Sequence, residues 1–579
     1  MSVIFKEIKE FKKQLIFLIL SVIGSTLCIM LLPTRLQKLI DYSIPGKDVG
    51  SVWLTTGTML ILVTGLILCG IVTAKLSSLI AMGVGRNMRA KMFNKVQGLS
   101  REEIDKFTAS SLITRTNGDI NQVQTFLSLC LNLALVAPIM AIVGVALSVH
   151  TSPSLSAVLL VSVPILAVIV IAIGKIAIPL SARIQRKLDN INLIIREKLT
   201  GTRVIRAFGT TAFEEKRFDT VNVDYTRMNK KLQNITALFL PAIYVVVAAT
   251  IGAIMFVAFK ETQNTAEVHT TGEIMAVIQY IMFILIAVVC LTIVFLMLPR
   301  AATSANRAKE VLESENLIKD ASEARNNEDS KGYLEFKNVT FRYAGADVPA
   351  IKNISFKAAP GETTAIIGGT GTGKSTIINL IPRLYDVTEG QVLVDGIDVR
   401  DYKLDVLRSK IGFVPQKAIL FKGTIDSNIA FGGNDMPTED QIEEAVITAQ
   451  SYDFVTEKKD GFNTAVSQGG SNFSGGQKQR LCIARAIVRE PEIYVFDDSF
   501  SALDFKTDKT LRKALKEKTK DATTVIVAQR INTIMEADRI LVIEQGEVVG
   551  MGTHKELLDT CRIYREIAKS QLSEEELNR

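Results

Sequence analysis

The sequence predicts a polytopic α-helical membrane domain with long cytoplasmic helical extensions, followed by an α/β domain. Three observations carry that expectation. Apolar runs long enough to cross a bilayer are confined to the first half of the 579 residues, a polar stretch without apolar period follows near Lys319, and strand-like runs alternating with helical patterns begin at Tyr333. The chain is too long for one compact domain. Hydrophobic residues make up 48% of it and charged residues 22%, with mean hydropathy +0.25, so the place where the apolar residues cluster is the informative feature. The net charge of +7, from 67 Lys and Arg against 60 Asp and Glu, is too mild to argue for nucleic acid without a basic patch or a reading motif. The six cysteines form no CxxC pair and four sit inside apolar runs, which argues against a disulfide framework or a zinc site.

Six apolar stretches, near Leu15 to Leu32, Trp53 to Ala74, Leu127 to Val149, Ser156 to Gly174, Ala237 to Phe259 and Ile274 to Leu298, approach the ~20 helical residues needed to cross ~30 Å of hydrocarbon. The first follows Lys6, Lys9, Lys12 and Lys13, as a secretory signal would. It is longer than a typical signal core, and Pro33 to Lys38 offers no small-residue cleavage site, which favours a span.

The connections are unequal. Arg86, Arg89, Lys91, Lys95, Arg101, Lys106 and Arg115 lie between the second and third spans, and a basic series from Lys175 through Arg206 to Lys231 separates the fourth from the fifth. The connections around Pro45 to Val52, His150 to Leu155 and Lys260 to Glu273 are short and poor in Lys and Arg. Basic loops stay cytoplasmic, so both termini, the two long connections and the second domain are expected on the inner side of a cell membrane. Pro and Gly are sparse in the long connections, so the spans are expected to continue as helices beyond the bilayer. Almost no Asp, Glu, Lys, Arg or His falls within the apolar runs. An ion-driven carrier usually needs such a group inside the membrane, so energy for transport must come from elsewhere. A passive anchor is the other reading, and the second half of the chain argues against it.

The stretch KDASEARNNEDSKG marks a linker, giving a membrane domain over 1–318, a linker over 319–332, an α/β domain over 333–572 and a polar tail over 573–579. In TTAIIGGTGTGKSTIINLI, an apolar strand precedes and a helix-compatible run follows Gly368, Gly369, Thr370, Gly371, Thr372, Gly373, Lys374, Ser375 and Thr376. Gly368, Gly373, Lys374 and Ser375 satisfy GxxxxGK[ST] in the context that motif requires. Backbone N–H groups of such a loop wrap phosphates at a helix N-terminus, the lysine reaches the β- and γ-phosphates, and the serine hydroxyl serves Mg²⁺. A second apolar strand, IYVF, ends in Asp497 and Asp498, where a carboxylate beside the loop can serve the metal. FSGGQKQR, Phe473 to Arg480, precedes a helical run over Leu481 to Val488 and offers either a second anion-binding helix start or a structural turn.

These elements, together with SALD (Ser501 to Asp504) and FVPQ ending at Gln416, stand in the order seen in ATP-binding cassette proteins. EKLTGTRVIRAFG, Glu197 to Gly209, resembles the second cytoplasmic extension of ABC exporters. Over nearly its whole length the chain resembles an exporter half-transporter, whereas importers that keep the cassette on a separate polypeptide fit poorly. The resemblance implies an ATP-binding cassette that uses ATP and Mg²⁺. Tyr343 in FRYAG would stack on adenine, though it also reads as an ordinary strand tyrosine, and Ser375, Gln416 and Asp497 would hold the metal. Two cassettes would close head to tail, with Ser474, Gly475, Gly476 and Gln477 meeting ATP held by the other cassette and Asp504 in the dimer-interface loop.

The chain departs from that family at two positions. Asp498 stands where the general-base glutamate is expected, and Gln529, in VAQR, stands where the switch histidine is expected; His150, His269 and His554 lie elsewhere. Loss of one methylene retracts the carboxylate by ~1.5 Å, and a misplacement of ~1 Å can cost about a hundredfold in rate. Glutamine donates a hydrogen bond but cannot become a cation or shuttle a proton. VSQGGSN, Val466 to Asn472, also differs from the glutamate-containing run more common before the signature. This combination resembles the degenerate-site subunit of heterodimeric multidrug-type ABC exporters. It implies a second half-transporter carrying the missing glutamate and histidine, a surrounding membrane lipid, and hydrophobic or amphipathic cargo such as drugs or lipids. A slow homodimeric exporter and an ATP-gated channel or regulator are the other readings.

Overall fold

The structure, a computed structural model, describes residues 2–264, 269–321, 331–433 and 436–573. Most of the expected linker (322–330) and of the polar tail (574–579) lies outside the described residues. The chain forms two compact units, one from residues up to Gln97 together with Thr108–Ser314, the other from Gly98–Phe107 together with the chain from Glu315 onward.

The first unit is helical. Six helical stretches, Lys6–Ser43, Val49–Gln97, Ala109–Thr151, Pro153–Thr200, Thr211–Glu261 and Thr271–Leu312, each contain a window apolar enough to cross a membrane. All exceed the ~20 residues a bilayer requires, so the helices extend well past their apolar cores, as the sparse Pro and Gly of the connections predict. Pro33, Pro164, Pro179 and Pro299 lie inside helices, a placement that neighbouring helices make tolerable within membranes. Small and hydroxylated residues join the spans. Gly24 lies against the Cys69 sulfur and Gly65 against that of Cys28, the Ser21 hydroxyl donates to Cys69 O at 2.8 Å, and the Asn132 amide donates to Ser77 Oγ at 2.6 Å, contacts of the kind that hold apolar helices together where lipid gives no hydrophobic drive. All six cysteines are free.

The second unit contains two main sheets. An antiparallel sheet runs β2-β1-β4-β5, with β1 Leu334–Phe341, β2 Ile351–Ala358, β4 Glu389–Val394 and β5 Ile397–Asp398. The central sheet runs β12-β11-β3-β10-β9-β6, with β3 Thr363–Gly368, β6 Ile411–Val414, β9 Ile493–Asp497, β10 Thr523–Val527, β11 Arg539–Glu544 and β12 Glu547–Gly552. β7 (Gly423–Thr424) and β8 (Ala465–Val466) form a small separate pair. From β11 to β6 every neighbouring pair in the central sheet is parallel. Strands of a parallel sheet are covered on both faces and read as near-continuous apolar runs; β9 and β10 are buried at all five positions each. Parallel pairing brings the C-terminal ends of β3, β9 and β10 to one edge of the sheet, where open α/β folds bind ligands.

The linker does not begin as free chain. Asp320 accepts from Leu404 N at 2.9 Å, and the Lys319 carbonyl accepts from the Arg383 guanidinium at 3.1 Å, so its first residues are already fixed to the cassette.

Candidate nucleotide site

β3 delivers the chain to Gly368, and the helix Lys374–Leu380 opens six residues later. Gly373 caps that helix at φ +96, and a Cβ there would stand 2.6 Å from Ala350 O, so only glycine fits. Between them Thr372 Oγ1 donates to Gly369 O at 3.0 Å, while Thr370 and Gly371 complete the loop. The buried Lys374 ammonium donates to Gly368 O at 2.9 Å and Gly369 O at 2.5 Å. Burial pulls its pKa below the usual lysine range against the opposing pull of Asp498 and Asp497. A phosphate arriving at the loop competes with these two carbonyls for the ammonium.

Ser375 Oγ donates to Asp497 Oδ1 at 3.1 Å. Thr376, on the same helix, shares a hydrogen bond of 3.0 Å with the Tyr343 hydroxyl. Tyr343 lies two residues beyond the end of β1, and its ring stands edge-on to Phe341 and Tyr385 at 4.9 and 5.4 Å between centroids. Tyr343 remains partly exposed, with 38% of its surface open, enough to offer a flat ring face to a base.

Asp497 ends β9, and Asp498 follows in the left-handed region at φ +48, its N–H donating to Val527 O at 2.9 Å. Asp498 Oδ2 accepts from Gln529 Nε2 at 2.9 Å and, more weakly, from Gln416 Nε2 at 3.4 Å. The base, switch and FVPQ glutamine positions are therefore in direct contact. Burial pushes both carboxyls above the ordinary aspartate range; hydrogen bonds from Ser375 to Asp497 and from Gln416 to Asp498 oppose it.

The helix expected over Leu481 to Val488 in fact spans Gly475–Ile487, with Ser474 as its cap. Ser474 Oγ accepts from Gln477 N at 3.3 Å and Gln477 Oε1 accepts from Ser474 N at 3.1 Å, a reciprocal capping box. Ser474 and Gly475 are exposed, nothing occupies the space where a Gly475 Cβ would point, and a Gly476 Cβ would stand 3.2 Å from Ala502 O. Among the described residues Ser474 and Gln477 bond to each other, and no hydrogen bond joins their side chains to those of the phosphate loop. Asp504 accepts from Thr507 N at 3.0 Å and so caps the helix Phe505–Lys518.

Three site neighbours escaped the sequence reading. Ser501 Oγ donates to the Asp498 carbonyl at 2.9 Å, Arg530 donates to Ser501 O at 3.1 Å, and Tyr385 buttresses Tyr343. Ser501 and Arg530 sat inside quoted motifs, whereas Tyr385 gave no local signal.

The oxygen set suits Mg²⁺. Ser375 and Asp497 offer one hydroxyl and one carboxylate at hydrogen-bond distance, and among the described residues no group of three or more His, Cys, Asp or Glu could hold a metal ion. Mg²⁺ is usually held by one or two protein oxygens together with substrate phosphates and water rather than by an all-protein cage.

A polytopic helical unit joined to a P-loop α/β unit defines a membrane-bound nucleotide-driven machine. Residues 15–289 match the ABC transporter transmembrane region family and residues 351–501 the ABC transporter family. An uncharacterized ABC transporter ATP-binding protein of Mycobacterium tuberculosis is 39% identical over 98% of this chain and 97% of its own length. The ATP-dependent lipid A-core flippase of Escherichia coli K12 is 32% identical over 89% of each chain. The solved structure of a bacterial Atm1-family ABC exporter with ATP bound superposes with a TM-score of 0.81 at 24% identity, covering 97% of this chain and 99% of that one. The chain belongs to the ABC transporter family. It is a half-transporter with a six-helix membrane domain fused to one cassette, and it couples ATP hydrolysis to transport.

Proposed function

We propose that this chain is one subunit of an ATP-driven exporter of hydrophobic or amphipathic compounds, drugs or lipids, working beside a different half-transporter. Its own site binds ATP but hydrolyses it poorly, and its Ser474–Gln477 segment serves the partner's competent site. The engagement of Asp498 by the Gln529 amide supports this reading most directly. A general base must accept a proton from water and pass it on; this carboxylate accepts from an amide that cannot relay a proton.

The geometry supports a role for each residue of the site. The Tyr343 ring stacks on adenine, the loop Gly368 to Thr376 wraps the phosphates, and the Lys374 ammonium exchanges its carbonyl partners for phosphate oxygens. Ser375, Asp497 and Gln416 would hold Mg²⁺, which when bound neutralises phosphate charge. The apolar spans, with almost no ionisable residue in their cores, suit apolar or amphipathic cargo, and the flippase relative, by its name, acts on lipid A-core. The asymmetry of basic residues supports a cytoplasmic location for the termini and cassette.

Purification of the full chain, with ATP binding and turnover measured on the same sample, tests the reading. Tight Mg²⁺-dependent binding with slow turnover is expected. Vigorous turnover by the chain alone, lost in Asp498→Ala, would overturn it, and co-purification with mass spectrometry identifies the partner.

A further inference from the structure

The switch-position loop is held from the far end of the chain. Gln529, Arg530 and Ile531 connect β10 to the helix Ile531–Ile534, and that helix lacks a side-chain cap of its own, because Arg530 at its cap position offers no acceptor to the first turn. Ile531 is fully buried, so its N–H would be costly to leave without an acceptor. Gln571, the final residue of the helix Arg562–Gln571, supplies it: its Oε1 accepts from Ile531 N at 2.8 Å. The same amide donates through Nε2 to the Gln529 carbonyl at 2.9 Å. One side chain thus bridges the backbone on both sides of Arg530.

That bridge has a firm footing. Tyr564 and Ala568 on the last helix, and Leu572 just beyond its end, are buried in the cassette core, and the Tyr564 hydroxyl bonds His554 Nδ1 at 2.6 Å. At the loop's other face Arg530 donates to Ser501 O, and Ser501 Oγ donates to the Asp498 carbonyl. Gln529 then directs its own amide to Asp498 Oδ2 at 2.9 Å.

We propose that Gln571 is a positioning residue for the nucleotide site: by clamping the backbone at Gln529 and Ile531 it fixes where the Gln529 amide points, and so ties the C-terminal helix to nucleotide binding. This rests on the reading that the site around Lys374 binds ATP. Gln571 touches neither nucleotide nor the reacting atoms, and its effect passes wholly through Gln529. A residue that only stabilised the helix end would lower stability without any energetic dependence on the identity of residue 529.

The test uses the full-length chain, Mg²⁺-ATP as the probe, and a cycle of Gln571→Ala, Gln529→Ala and the double variant. Loss of the clamp, two hydrogen bonds of ordinary strength, is expected to weaken ATP binding roughly fivefold. The double variant is expected to bind no more weakly than Gln529→Ala alone. Gln571→Glu retains an acceptor for Ile531 N but sets a carboxylate oxygen against the Gln529 carbonyl in place of the donor, so it is expected to keep Ile531 N satisfied while losing part of the affinity. Hydrogen exchange in the nucleotide-free chain gives a second readout: the peptide containing Ile531 exchanges faster in Gln571→Ala and stays protected in Gln571→Glu. Multiplicative effects of the two alanine changes, wild-type affinity in Gln571→Ala, or unchanged exchange at Ile531 would each overturn the clamp. Fast hydrolysis by the wild-type chain would instead sink the slow-site reading while leaving the coupling measurable, and failure of the wild-type chain to bind ATP would sink the nucleotide-binding premise and the proposed role with it.

Discussion

The side-chain amide of Gln529 donates to Asp498 Oδ2 at 2.9 Å, and the Gln416 amide approaches the same oxygen at 3.4 Å. Asp498 is one methylene shorter than the glutamate expected there, and Gln529 cannot carry a proton as histidine can. Restoring both is therefore expected to restore chemistry. The double variant Asp498→Glu, Gln529→His should raise turnover at this site by at least about tenfold, with smaller gains from either change alone. Single-turnover hydrolysis in the purified chain measures this, and an unchanged rate in the double variant would mean that something else limits the step.

Asp497 carries a second consequence. Burial raises its carboxyl above the unfolded value, a shift that Ser375 and Lys374 only partly offset. For a raised acid the folded chain holds the proton more tightly, so that stability is present at low pH and is lost as pH rises through the folded-state value. At neutral pH the ionised carboxylate is thus a cost to stability. Asp497→Asn is expected to raise the Tm of the nucleotide-free chain at pH 7, with the gain shrinking toward about pH 4. It should also weaken Mg²⁺-dependent ATP binding by about tenfold or more. A variant that melts below wild type at pH 7 would contradict the first part.

The phosphate loop, the acidic strand end and the six spans were legible because each is local: a motif with its flanks, or an apolar run of sufficient length. The start of the helix Gly475–Ile487 was legible only as one of two readings, a helix start or a turn, because Gly475 and Gly476 are poor helix formers and the apolar period begins only at Leu481. The capping box between Ser474 and Gln477 fixes the start instead, and its S-x-x-Q spacing was the available signal. Tyr385 and Gln571 act across long sequence separations that no local pattern records. The π-helical turns Leu39–Ser43, Arg115–Asp119 and Cys130–Ala134 were equally hidden. At the second of these, Asp119 meets Ser304 Oγ at 2.8 Å and the Arg307 guanidinium, partners visible only after folding.

Orientation in the membrane has a direct test. The connections holding His150 and His269 are poor in Lys and Arg, whereas Arg115 and Arg206 lie in basic stretches, so the former are expected outside and the latter inside. On a cysteine-free background, a membrane-impermeant thiol reagent applied to intact cells should modify His269→Cys and leave Arg206→Cys unmodified. The reverse pattern would invert the topology.

The proposed division of labour between two unlike sites makes the sharpest demand on the signature segment. In the proposed pairing, head-to-tail closure would give each site a phosphate loop from one chain and a signature from the other, so hydrolysis in the partner would depend on this chain in trans. Ser474 is a poor place to probe that dependence, since it caps its helix and its replacement costs stability of about 1 kcal/mol. Gly475 is a better one. It is exposed, and a Cβ there meets nothing within 4 Å, so Gly475→Glu is expected to change folding stability by no more than about 0.5 kcal/mol. The added carboxylate would face the γ-phosphate of the partner's ATP and repel it where donors are needed. In the co-purified complex, Gly475→Glu is expected to cut ATPase activity by about a hundredfold or more. Asp498→Ala should change it little, because that carboxylate is set back and bound to Gln529. Should Asp498→Ala eliminate turnover while Gly475→Glu retains it, the hydrolytic site belongs to this chain and the assignment of roles is reversed.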